Sequence, residues 1–266
     1  MNLQSIISEV LQDQSVKLVI GYGEGSNGKV RPHFIKDIQQ VNELIFDDRC
    51  TQNLAGYLVK KDIKQLGKMA IVSTVSTLRS IIRLAGEHQL KEGNVIALIA
   101  DKNGETKLLS TFEEIEAFVS TQPIGLKEED KVLMAKIEAM TLPERWAFWQ
   151  GEFSKCFKCY ACRQACPLCY CDQCTVELNQ PQWISVASSS LGNLEWHLMR
   201  AMHLAGRCIS CGQCAEACPM DIPLHLLTFK VSEDIKEIYG SVPGMNLKEK
   251  CAMSTFKPDD KENFIG

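Results

Sequence analysis

Two runs of cysteine dominate the chemistry this chain can do. Cys156, Cys159, Cys162 and Cys166 are followed by Pro167, and Cys208, Cys211, Cys214 and Cys218 by Pro219, so the pattern C-x2-C-x2-C-x3-C-P occurs twice. That spacing suits a pair of [4Fe-4S] clusters, because two residues between cysteines let a short loop wrap one corner of a cube while the fourth thiolate comes from elsewhere. In two-cluster sites of this kind the first three cysteines of a run hold one cluster and the fourth crosses to the other. The expected sets are therefore Cys156, Cys159, Cys162 and Cys218, and Cys208, Cys211, Cys214 and Cys166. Disulfides or structural zinc are the competing uses of so many cysteines. Zinc sites generally pair C-x2-C knuckles, which these runs do not resemble.

Three more cysteines, Cys169, Cys171 and Cys174, follow the first run at once. Eight thiolates already suffice for two clusters, so these three raise the expectation of a third metal site. Zinc or iron-sulfur would accept such a set, with Cys251, Cys50, His197, His203 or His225 as the fourth ligand. Spare thiols packed against the first cluster, or Cys169 standing in for Cys166, are the alternatives. Taken singly, the histidines read as surface or packing residues.

Composition frames the rest. The 266 residues, 45% apolar, are enough for two ordinary domains. A net charge of -4 gives no electrostatic reason to expect nucleic acid or an anionic membrane. No run approaches the roughly 18 apolar residues of a membrane span, and the first residues lack the basic then apolar order of a signal peptide. The expectation is a cytoplasmic protein whose cysteines stay reduced and free for metal, in an anaerobic host.

Cysteine also divides the chain. Residues 1–149 contain only Cys50, whereas residues 150–218 contain eleven cysteines. The expected boundaries are an α/β domain over 1–125, a helical linker over 126–150, a mostly helical, ferredoxin-like two-cluster domain over 151–240 and a tail over 241–266. In the first domain, segments 16–21, 57–60, 69–74 and 95–100 read as buried strands, and 77–88 has helical spacing through Leu78, Ile81, Ile82 and Ala85. Residues 101–104 read as a turn before a strand over 107–109. Thr111 with Glu114, and Thr141 with Glu144, have capping-box spacing. An amphipathic stripe through Leu194, Leu198, Met202 and Ala205 ends at Gly206, and a charged helical segment ends at Gly240. The tail is expected either to lie along another subunit or to be mobile, and Phe256 and Phe264 favour the first.

Two segments of the first domain are candidates for touching a cofactor. Gly21, Gly23 and Gly25 follow the first strand in a glycine-rich turn whose N–H groups can approach a phosphate, although a plain flexible turn is the commoner use. Ser73, Thr74, Ser76 and Thr77 join a buried strand to a helix start, where hydroxyls either meet an anion or cap the helix.

The stretch GKMAIVSTVSTLRSIIRLA followed by NVIALIA resembles the C-terminal domain of the coenzyme-deazaflavin hydrogenase/dehydrogenase beta-subunit family, and GRCISCGQCAEACPMDIPL resembles ferredoxin modules of formate dehydrogenase and heterodisulfide-reductase-type complexes. The resemblance implies FAD and [4Fe-4S] clusters, and electron passage between a deazaflavin or nicotinamide and the catalytic subunit of a formate dehydrogenase or hydrogenase. Where that family's loop reads G-T-P-C-Q, this chain has Ser73-Thr74-Val75-Ser76-Thr77. The second reading is accordingly a non-catalytic relay and docking adaptor without flavin. No Ser/His/Asp set, paired-carboxylate site or P-loop can be assigned from spacing.

Overall fold

A computed structural model describes residues 2–100, 106–174 and 180–252. The chain opens with helix α1 (Leu3–Gln12), whose Leu3, Ile6, Ile7 and Val10 recur at helical spacing and are buried. It continues through β1 (Val16–Glu24), β2 (Val30–Ile35), β3 (Leu44–Ile45), the short α2 (Ala55–Leu58) and α3 (Lys61–Lys64), β4 (Lys68–Val72), α4 (Val75–Gly86), β5 (Val95–Ala100), β6 (Thr106–Leu109) and α5 (Phe112–Ser120). The strands form one sheet in the order β2-β1-β4-β5-β6, with β3 also paired to β1. Its centre is parallel, Ile20 facing Ile71 and Ile71 facing Ala97, while β2, β3 and β6 pair antiparallel. The parallel strands are continuous apolar runs, as strands covered on both faces require.

Five expectations for this domain hold in place: strands at β1, β4, β5 and β6, and the helix at α4. The Thr111 capping box is formed, with both hydrogen bonds present, at the start of α5. One is corrected. Residues 57–60, expected as a strand, belong to a helical turn over α2 and its cap. A four-residue apolar run carries no period of its own, and here Gly56 lets the backbone lie against Pro167, an added Cβ being 3.4 Å from the proline Cα. Helix α1 and strands β2 and β3 had no counterpart among the expectations, and the turn expected at 101–104 falls outside the described residues.

The second half is helical: α6 (Glu128–Ala139), α7 (Leu142–Ser154), α8 (Ala161–Gln164), α9 (Ser190–His203), α10 (Gln213–Glu216) and α11 (Leu224–Tyr239). The Thr141 capping box opens α7, and Gly240, left-handed at φ 68°, ends α11. Among the described residues, no helix is long and apolar enough to cross a membrane.

The stripe expected on α9 is also corrected. Its buried face carries Asn193, Trp196, His197, Arg200 and Ala201, whereas Leu198, Met199 and Met202 face outward. Asn193 and Arg200 occupy the inner face as donors to the cysteine loops, while Leu194 and Ala205 of the expected stripe do pack inward, so apolarity alone placed two of its four residues. The main hydrophobic core does not stop at the α/β domain: Leu168, Leu204 and Ile209 share it, and Cys166, Cys169, Cys208 and Cys211 pack against it. Of the tail, Phe256 and Phe264 lie outside the described residues. Its nearer part is docked, Pro243 accepting a 2.8 Å hydrogen bond from Arg79.

Candidate metal centre

The two cysteine runs fold alike. In the first, Lys158 and Tyr160 are left-handed, at φ 57° and 59°; in the second, Ser210 and Gly212 occupy the matching positions at φ 58° and 77°. Each run then enters a one-turn helix, α8 or α10. In both, the N–H two residues beyond the first cysteine points back at its sulfur: Lys158 N lies 3.3 Å from Cys156 Sγ, and Ser210 N 3.3 Å from Cys208 Sγ. Three non-glycine residues held at positive φ mark a backbone constrained to present its thiols and N–H groups to one point.

The sets cross over. Cys156, Cys159, Cys162 and Cys218 line one small cavity with Trp196, His197 and Leu224. Burial pushes the Cys162 thiol up, and Cys156, Cys218 and Cys159 are close enough to raise it further. Burial likewise raises Cys211 and Cys214, the latter to about 12, and the nearby sulfurs acting on both include Cys166 and Cys208. Burial thus favours the protonated thiols, and a metal bound among them would supply the cation that favours thiolates. All thirteen cysteines are free thiols.

Arg200 of α9 stands among these sulfurs. It is only 5% exposed; its Nη2 donates to Cys162 O at 3.0 Å, its Nε has no partner, and no carboxylate pairs with it among the described residues. The charges that favour its protonated form, against its burial, are Cys166, Cys214, Cys169 and Cys162. A buried guanidinium without an acid is costly unless anions face it, and cysteine-ligated clusters carry negative charge. The donor set, the twin turns and this cation together fit iron-sulfur clusters.

Neighbouring side chains fix the loops. Asn193 Nδ2 donates to Cys156 O at 2.6 Å and Phe153 O at 3.1 Å, Ser188 Oγ to Cys156 O at 2.7 Å, and Lys158 Nζ to Ser185 O. Gln213 Nε2 donates to Thr51 O at 3.2 Å, tying the second run to the α/β domain. His197 is buried, stacked on Phe153 at 4.7 Å, and burial, then Arg200 and Lys158, lower it to about 4, so it is a neutral packing ring. His225 pairs with Asp130 at 2.8 Å.

Cys169, Cys171 and Cys174 line a separate cavity of about 290 Å³. Cys169 N donates to Cys166 O at 3.2 Å, and the nearness of the two thiols holds Cys166 below and Cys169 above the ordinary thiol range. Among the described residues no three His, Cys, Asp or Glu side chains converge tightly enough for a single metal ion.

The cofactor candidates of the α/β domain are rearranged. Gly21 and Gly23 lie within β1 rather than in a turn after it, and a Cβ on Gly21 would meet Leu44 at 2.9 Å. Gly25 closes the β1–β2 hairpin, its N–H donating to Lys29 O at 2.7 Å. Glycine here admits close neighbours in a sheet, a use indistinguishable in sequence from a phosphate turn. Ser73 Oγ bonds Ile71 O at 3.1 Å, and Thr74 caps α4, its Oγ1 reaching Thr77 N, Thr77 Oγ1 and Ser76 Oγ. Ser76 alone of this group reaches a cavity, one that includes Cys211.

A cavity of about 590 Å³ escaped the sequence reading because it is assembled from distant loops: Lys29, Asn53, Tyr57 and Lys60 on one side, Ala165 and Gln213 on the other. Ala165 and Gln213 directly adjoin Cys166 and Cys214 in the chain.

A 4Fe-4S binding domain family matches residues 204–223. The chain is 31% identical over 161 residues to the F420-dependent formate dehydrogenase subunit beta of Methanocaldococcus jannaschii, covering 59% of this chain and 40% of that protein. It is 26% identical over 233 residues to the F420-dependent formate dehydrogenase 1 subunit beta of Methanococcus maripaludis, covering 86% of this chain and 56% of the relative. A Lysinibacillus sphaericus lactate utilization protein B is 28% identical over 177 residues, 58% of this chain and 35% of that protein. The chain thus spans about half the length of the two formate dehydrogenase subunits it matches. It is similar to F420-dependent formate dehydrogenase beta subunits over part of their length, and its residues 204–223 match a 4Fe-4S binding domain.

Proposed function

We propose that the chain is the electron-transfer subunit of a multi-subunit anaerobic, cytoplasmic oxidoreductase of the formate dehydrogenase, hydrogenase or heterodisulfide-reductase type. It passes electrons between a flavin or soluble hydride carrier at the α/β domain and catalytic or electron-transfer partner subunits. Cys156, Cys159, Cys162 and Cys218 hold one [4Fe-4S] cluster and Cys208, Cys211, Cys214 and Cys166 the other. Cys169, Cys171 and Cys174 form a further metal site. The boundaries 1–125, 126–150, 151–240 and 241–266 remain useful divisions of labour, although the core runs across the first of them.

The observation that carries this reading is the crossover: Cys218 lies with Cys156, Cys159 and Cys162, while Cys166 lies against Cys208 and Cys211. When bound, such clusters supply one-electron transfer, and a flavin supplies the conversion from two electrons to one. This chain's own groups do the rest. The turns at Lys158 and Ser210 aim N–H groups at sulfur, Arg200 balances the thiolates, and Trp196 and Leu224 form an apolar part of the wall around the first set. The 590 Å³ cavity is the place we assign to FAD or the carrier, since Lys29 and Lys60 suit phosphates and its Ala165 and Gln213 wall adjoins cluster ligands.

The adaptor reading has one observation of its own, the engagement of the Thr74, Ser76 and Thr77 hydroxyls with one another. Purification without oxygen, followed by iron and sulfide analysis and release of bound flavin, separates the two. Near-stoichiometric FAD supports an electron-entry subunit. Intact clusters without flavin support the adaptor. Cys211→Ala should remove about four irons, and full iron retention would refute the ligand sets.

A further inference from the structure

We propose that Cys169, Cys171, Cys174 and His203 hold a third iron-sulfur cluster, with Arg200 as its counter-charge; this rests on the iron-sulfur reading above and specifies the nature and fourth ligand of the extra site. The three cysteines, the imidazole of His203 and the guanidinium of Arg200 line the same 290 Å³ cavity.

Geometry decides between zinc and a cluster. A tetrahedral zinc gathers its ligands about one point at bonds of roughly 2.0–2.3 Å. No such gathering exists among the described residues, although all three thiols open onto one space. Thiolates spread around a cavity suit a cube with iron at its corners.

The fourth ligand follows from placement. Cys50 is buried in the α/β core, His197 is stacked in the cavity of the first cysteine set, His225 is paired with Asp130, and Cys251 lies near Gly206 O at 3.6 Å outside this cavity. His203, in the last turn of α9, remains, exposed and on the cavity wall. Imidazole nitrogen replaces thiolate in known iron-sulfur chemistry.

The charge on the walls asks for an anion. Arg207 is neutralised by Glu87, at 2.7 Å through both its Nε and Nη2. Among the described residues Arg200 has no acid, and its buried Nε lacks a partner there. Closing the site would deprotonate three thiols, releasing their protons to solvent as sulfur–iron bonds form. Cys169 would then bind iron, leaving the neighbouring Cys166 to the crossover.

The test uses the full chain, purified without oxygen. Iron and acid-labile sulfide should reach about twelve each per chain, against about eight for two clusters. The variant Cys171→Ala/Cys174→Ala should lose about four irons, while Cys211→Ala loses a different four. His203→Gln should lose about one iron and give the electron paramagnetic resonance signal of a three-iron cluster, and His203→Cys should restore the four-iron signal. About eight irons in the parent chain with none lost in the Cys171/Cys174 variant, or one equivalent of zinc, would overturn the proposal and leave the two-cluster reading standing. Loss in the Cys171/Cys174 variant without loss in Cys211→Ala would support this site and refute the other. An unchanged iron content and signal in His203→Gln would overturn the fourth ligand.

Discussion

Replacing Glu87 should detach the cysteine loops from the α/β domain. Glu87 follows the last residue of α4, and its carboxylate, 10% exposed, accepts four hydrogen bonds: from Arg83 Nε at 2.8 Å, from Arg207 Nε and Nη2 at 2.7 Å each, and from the Tyr170 hydroxyl at 2.8 Å. Tyr170 follows Cys169, and Arg207 precedes Cys208. One carboxylate therefore holds a loop from each cysteine run. Removing the acid leaves two largely buried guanidiniums unpaired, which typically costs about 3–5 kcal/mol. For Glu87→Ala, measured by urea unfolding without oxygen, that range is the expectation. Double-mutant cycles with Arg207→Ala should show a coupling of roughly 2 kcal/mol. Burial alone would raise the Glu87 carboxyl, but Arg207, Tyr170 and Arg83 outweigh it and leave it lowered. Its contribution is then fully present above the ordinary unfolded value of about 4.3 and is lost as pH falls through the lower folded value. A Glu87→Ala protein within about 1 kcal/mol of the parent, or a cycle with no coupling, would refute the argument.

Three other substitutions test separate parts. Arg200→Gln should make the iron-sulfur reduction potentials more negative, by roughly 2 kcal/mol per electron for a charge at about 8 Å and an effective dielectric of about 20, with Arg200→Lys recovering part of it in a spectroscopic redox titration. Unchanged potentials at full iron content would show that the guanidinium does not face the clusters. Asn193→Ala removes two donors to the carbonyls of Phe153 and Cys156 from a side chain 2% exposed, so a loss of about 1–3 kcal/mol and easier iron release to a chelator are expected. Gly244 sits at φ 79° with a built Cβ 2.5 Å from Arg79 O, so Gly244→Ala should lower the melting temperature and loosen the Arg79 to Pro243 tie; an unshifted transition would contradict it.

Much of this was legible in the sequence where a single local rule decides the outcome. The cysteine spacing needs no tertiary information, and capping boxes at Thr111 and Thr141 are satisfied within one turn. Strands β4 and β5 are apolar on both faces, so nothing competes with their assignment. Legibility failed where the environment, not the residue, sets the role. Gly21 and Gly23 are glycines for sheet packing, Leu198 and Met202 are apolar yet exposed, and Arg200 is charged yet buried. Pattern reading assigns each of these to the opposite place, because the cysteine loops beneath α9 and the neighbours of β1 come from elsewhere in the chain. The large cavity was invisible for the same reason, its walls being over one hundred residues apart.

The packing of the cysteine runs also orders the proposed relay. Cys166, Cys208 and Cys211 pack on the core that includes the sheet, whereas Cys156, Cys162 and Cys218 belong with Phe153, Ile222 and Leu224 in a separate apolar cluster, with Cys214 beside them. An electron entering from the α/β cavity therefore meets the second set first. The first set lies nearer solvent: Cys159 is exposed, and Phe157 and Met220 beside it are 54% and 38% exposed. Arg200 lies between, within electrostatic reach of Cys162 in one set and of Cys166 and Cys214 in the other. A cation shared by two acceptors lowers the energy of an added electron on either, so it favours reduction without biasing the position of the electron between them.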